Sequence, residues 1–135
     1  MKTSIFIFIL LLFTLIACEK KGNQELYNEV MAIHDEVMPK MNDIHRYKKN
    51  FQSEITNNSN ITEARKAELE AVIVKLDSAG DGMMVWMREF DPIPDSEGEE
   101  KARKYLENEK KKVAKVKEDM LKALEQARKL KPQTP

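Results

Sequence analysis

The chain has 135 residues, 34% of them charged and 7% aromatic, with 4 glycines, 5 prolines and 1 cysteine. That composition belongs to long amphipathic helices with solvated faces and argues against a sheet protein. Basic and acidic side chains number 23 each, so the formal net charge is zero and there is no electrostatic footprint for a nucleic acid.

Residues 1–17 are predicted to be a targeting segment. Lys2 supplies a positive start, and Ile5 to Ile16 is an apolar run too short for a comfortable membrane span. Leu15-Ile16-Ala17-Cys18 resembles a bacterial lipobox, which implies cleavage before Cys18 and acylation of its thiol. Two acyl chains, with a third on the new amino group, anchor stably, since each buried methylene contributes about 0.8 kcal/mol. An ordinary secretory signal and an uncleaved anchor are the competing readings. With its one cysteine lipidated, the exported domain has none for disulfides and is held by packing alone. Residues 18–23 would form a polar tether reaching about 15–20 Å from the lipid when extended.

A first helix is expected over 24–52. Leu26, Ile33 and Tyr47 fall on one line of a seven-residue repeat, and Val30, Val37, Ile44 and Phe51 on its companion. A second stripe, Met31, His34, Met38, Met41 and His45, widens the apolar face enough for two neighbours. Pro39 lies inside this helix, where its missing N–H and ring clash cost roughly 3 kcal/mol; a kink is expected, since the rows continue in register across it.

Asn57-Asn58-Ser59-Asn60 is a turn-forming cluster, after which Asn60 or Thr62 can cap a second helix over 62–90. Its seam is Leu69, Val72, Leu76, Ala79, Met83, Trp86 and Phe90, interrupted by Gly80 and Gly82 at about 1 kcal/mol each relative to Ala. Pro92 and Pro94 end it, and Ser96 with Glu99 suggests a capping box for a third helix over 97–130. Its core line is Ala102, Leu106, Val113, Val116, Met120, Ala123, Ala127 and Leu130. The lysine run 110–112 reads as a solvated face, and residues 132–135 as a frayed tail. Three helices with short connections predict an all-α fold, an antiparallel up-down-up three-helix bundle over 24–131. With Phe51 level with Ala64, Met31 and His34 would face Gly80, Met83 and Met84.

That layer holds the one constellation with chemical interest: His34, Met31, Met83, Met84 and Met87, beside Trp86. Thioether and imidazole are soft donors suited to copper(I). The competing reading is that methionines at helical spacing fill an irregular core. No His-x-x-x-His or Glu-x-x-His pair supports zinc or a carboxylate-bridged di-iron centre, and no nucleophile elbow or activated carboxylate supports an enzyme. A docking module, using the wide apolar face of helix one for a protein partner or self-association, is the further alternative.

Two blocks carry a resemblance to a known group. His34-Asp35-Glu36-Val37-Met38-Pro39-Lys40-Met41 with Ile44, and Leu76-Asp77, Ala79 and Met83 through Met87 to Phe90 and Pro92, resemble signatures of small Bacteroidota lipoproteins. Members often carry the label "viral A-type inclusion protein", which reflects coiled-coil similarity and not an activity. This chain departs from the group in having Gly80 and Gly82. The resemblance implies a helical fold and a lipid-anchored location in the cell envelope, on the periplasmic or surface face, and implies no mechanism. Together these features predict a membrane-anchored lipoprotein with a non-catalytic binding or structural role, held through Cys18. A Cu(I)-binding protein is the alternative.

Overall fold

A computed structural model describes residues 22–130, which form four α-helices: α1 (Asn23–Val37), α2 (Lys40–Asn57), α3 (Glu63–Glu89) and α4 (Glu99–Leu130). One 3-10 turn, Asp95–Glu97, precedes α4. The expected signal peptide, Cys18 and the first part of the expected tether lie outside the described residues, as does the expected tail at 132–135. Asn23 was expected in that tether and is instead the first residue of α1 and buried. None of the described helices is long and apolar enough to cross a membrane.

Pro39 divides α1 from α2 by hydrogen bonding more than by shape. Met38 (φ −54°, ψ −41°) and Pro39 (φ −59°, ψ −25°) both keep right-handed helical dihedrals. The missing donor is absorbed by tightening: the N–H of Met41 donates to Met38 O (3.1 Å) and that of Asn42 to Pro39 O (3.3 Å), three residues back instead of four. The core row therefore continues across the joint. Val30, Val37, Ile44 and Phe51, each seven residues apart, are all essentially inaccessible. Burial of each contributes about 1.5–3 kcal/mol, and α1 with α2 acts as a single rod.

The second rod, α3, is capped by Thr62, whose Oγ1 accepts the Arg65 N–H at 3.2 Å. Its seam, Leu69, Val72, Leu76, Ala79, Met83 and Trp86, is buried throughout. The expected capping box at Ser96 does not form. The 3-10 turn takes up Ser96, and Gly98, at φ +121°, offers its carbonyl to the Ala102 N–H as α4 begins. That backbone conformation explains the glycine.

Ion pairs and ring contacts give the register. Glu29 meets Lys110 and Glu36 meets Lys117, so α1 and α4 rise together. Against the first rod, α3 residue numbers fall as the others rise: Glu54 with Arg65, Lys48 with Asp77, His34 with Trp86 and Tyr27 with Phe90. At the far end Arg65 ties all three rods together. It donates to both carboxylate oxygens of buried Glu54 and, through Nη2, to the carbonyl of Leu130 at 2.8 Å. The Glu54 bond holds the Arg65 guanidinium above its ordinary pKa. α1 packs chiefly on α4, and α2 chiefly on α3.

Gly80 and Gly82 have different surroundings. A Cβ on Gly80 would stand 3.4 Å from Met41 Cε and 3.8 Å from Ile44 Cγ2, whereas one on Gly82 would meet nothing within 4 Å. Gly82→Ala is expected to raise unfolding free energy by about 0.5–1 kcal/mol, and Gly80→Ala by at least as much, because its methyl would meet Met41 and Ile44 at ordinary contact distance. Leu76→Ala, at a site with no exposure, should lower it by about 2–5 kcal/mol. Urea unfolding followed by circular dichroism checks all three.

Candidate functional site

The seam between α1 and α3 is where the sulfur, imidazole and aromatic side chains gather. On the first rod Met31, His34, Met38 and Met41 recur at spacings of three, four and three, which places them on one face. On α3 the corresponding line is Gly80, Met84 and Met87, at four and three. Gly80 meets Met41, so these two lines stand on opposite banks of the same seam.

Aromatic rings fill the bottom of the seam. His34 lies 5.8 Å from Trp86 between ring centroids, Trp86 stacks on Phe90 at 4.9 Å, and Phe90 reaches Tyr27 at 6.1 Å and Tyr105 at 6.2 Å. These bulky groups fill the interface at this end, while α2 packs chiefly on α3 at the other, with Gly80 beside Met41 and Ile44. The Tyr105 phenol is pushed above its ordinary pKa by burial, and its oxygen accepts the Asp91 N–H at 2.7 Å.

Beneath the rings lies a buried carboxylate. Glu109, 3% exposed, accepts the indole N–H of Trp86 on Oε2 (3.0 Å) and the Lys112 ammonium on Oε1 (2.7 Å). The second bond holds Lys112 above its ordinary pKa. Glu109 stands next to the lysine run 110–112 that reads as a solvated face. Yet the α4 core line runs Ala102, Leu106, then Val113 and Val116, and the position it skips is 109. The same signal marks the other two buried polar residues: Asn23 stands seven before Val30, and Glu54 seven after Tyr47. All three are polar residues at heptad core positions, and each has found a bonding partner on another rod or across a turn.

The five expected metal-site residues are divided by this packing. Met83 is fully buried in the core, and Met120 of α4 is its equal there. Met84 and Met87 are open, 49% and 39% exposed, while Met31 and His34 are partly buried on the facing bank. The His34 side chain is 15% exposed, and its Nδ1–H donates to Asp35 Oδ1 at 2.8 Å. His45, the other imidazole of the stripe, is exposed and well along the rod.

The register also differs from the expected one. Gly80 meets Met41 and Ile44, not Met31 and His34, and Trp86 takes the place opposite His34. The physical reason is the length of the first rod, which continues to Asn57 instead of ending near Gln52, so α3 starts further along and every later residue is displaced. A second correction concerns the wide apolar face of helix one. Ile33, Tyr47, Met38 and Met41 all pack against the core, so that face is taken up by α3 and α4. Large apolar side chains stand open mainly on α3, where Val74 and Val85 join Met84 and Met87, and at Leu121 of α4.

Among the described residues, no group of three or more His, Cys, Asp or Glu side chains is placed to hold a metal ion. No protein-family model, curated protein or solved structure matches the chain.

The Trp86–Glu109 bond has a direct test. Glu109→Ala leaves the indole N–H buried without an acceptor and should lower stability by about 1–3 kcal/mol, read by urea unfolding. The change should also shift the emission of Trp86, the only tryptophan.

Proposed function

We propose that this chain is a lipid-anchored protein of a bacterial cell envelope, an antiparallel up-down-up three-helix bundle with a non-catalytic binding or structural role. The observation that carries the anchor is Leu15-Ile16-Ala17-Cys18, an apolar run closed by a small residue and the single cysteine. Only residues 19–22 separate Cys18 from Asn23, and that short link suits a domain held close to the membrane. Asn23 donates through Nδ2 to Asp95 Oδ1 (2.5 Å) and to the Glu99 carbonyl (3.0 Å). In this reading the pull of the anchor is passed directly to the α3–α4 connection, not to a loose leader.

The opposed contacts of α3 with both other rods support the bundle topology. The non-catalytic role is supported by how the buried carboxylates are spent: Glu54 on Arg65, and Glu109 on Trp86 and Lys112. The reading also groups the chain with the small Bacteroidota lipoproteins that its His34–Met41 and Leu76–Pro92 blocks resemble.

Growth of a bacterial host with an alkyne analogue of palmitate tests the anchor. The wild-type chain should take up label and sediment with membranes, and Cys18→Ser should lose the label and leave the membrane fraction. Unlabelled wild-type chain would refute the anchored reading.

A further inference from the structure

We propose that His34, Met31 and Met87 form a copper(I) site across the α1–α3 seam, with Met84 as a flanking fourth donor. The inference deepens the binding role above by naming a ligand, and rests on that role; the lipid anchor takes no part in it.

The argument starts from two populations of methionine. Met83 and Met120 are fully buried and do what the residue ordinarily does, filling irregular core space. Met84 and Met87 are 49% and 39% exposed, so they stand at the edge of the bundle and not in its core. On an exposed helix face the ordinary choices are charged or strongly polar helix formers, which this chain uses freely elsewhere. A thioether left in the open beside other soft donors therefore calls for a different explanation.

Register brings those donors together. His34 is level with Trp86, the residue before Met87, and Met31 lies one turn further along α1 in the direction of Phe90 and Tyr27. Met87 thus stands across the seam from the interval between His34 and Met31. The rings of Trp86, Phe90 and Tyr27 pack between α1 and α3 in this layer, with Met31 and His34 on one rod and Met84 and Met87 on the other.

The state of the imidazole fits a ligand. A carboxylate accepts only, so Nδ1–H of His34 makes the 2.8 Å contact with Asp35, and Nε2 is the ring nitrogen left to meet a metal. A carboxylate behind a histidine is the usual means of orienting a metal-binding imidazole and raising its basicity. The Trp86 ring beside it adds a π face that attracts a cation. One imidazole and two thioethers are a soft donor set of low charge, which selects Cu(I) over magnesium, calcium or zinc.

The test uses the full chain carrying Cys18→Ser, so that no thiol competes, and delivers Cu(I) anaerobically as its bicinchoninate complex. One equivalent should transfer from the chelator, with quenching of Trp86 fluorescence. Met31→Leu with Met87→Leu, which conserves volume and helicity, should abolish transfer and quenching while leaving the thermal unfolding curve in place. Asp35→Asn should weaken binding by about tenfold or more, and Met83→Leu should leave it unchanged. No transfer to the wild-type donor set, or equal transfer to the Met31/Met87 double variant, overturns the proposal. Failure of transfer with acyl labelling of Cys18 intact rejects the ligand and keeps the anchor. Transfer without labelling supports the site and rejects the anchor alone.

Discussion

The arrangement of this structure turns on the aromatic layer between α1 and α3. Trp86 and Phe90 of α3 pack their rings against His34 and Tyr27 of α1, and Phe90 also reaches Tyr105 of α4. Bulky rings in that layer leave α1 to take most of its packing from α4, while α2 packs chiefly on α3, with Gly80 beside Met41 and Ile44. The register of α3 and the position of the buried Glu109 carboxylate under Trp86 go with that layer.

Polar groups inside the molecule reinforce the same arrangement. Buried donors and acceptors are expensive without partners, so each one placed in the core demands a particular neighbour. Glu109 accepts from Trp86 only if α4 and α3 are in this register, and Glu54 meets Arg65 only if the α2–α3 turn closes where it does. Asn23 joins the start of α1 to the residues before α4. Apolar heptad rows alone tolerate sliding by a full repeat at little cost in burial. These three polar side chains penalise the slipped alternatives, one near each end of the rods and one at the aromatic layer.

Much of the fold was legible residue by residue. The rows through Val30, Val37, Ile44 and Phe51 and through Leu69, Val72, Leu76 and Met83 were readable because a buried face must recur at the helical period. The cap of α3 was readable down to two candidates, Asn60 and Thr62, of which Thr62 makes the bond. The end of the first rod was not, since Ser53, Ile55, Thr56 and Asn57 are weaker helix formers that the helix nevertheless includes, and Glu54 among them is buried by Arg65. Ser96 promised a cap that Gly98 supplies instead, because the 3-10 turn shifts the start of α4. The joint at Pro39 keeps helical dihedrals because the chain can shorten two hydrogen-bond steps without leaving the helical basin.

The amino-acid sequence by itself determined the all-helical class, the faces that turn inward and the presence of soft donors on one stripe. All of these depend on residue type and short-range spacing. Tertiary structure decided how far the residues beside the α1–α3 seam are covered. Met83 was readable as core from its place on the α3 row, but the row does not say that Met84 and Met87 stand open while Met31 and His34 on the other rod are partly buried. That difference comes from how α1 and α3 face each other, with the rings of His34, Trp86, Phe90 and Tyr27 between them. It is a property of two rods packed together, and neither rod carries it alone.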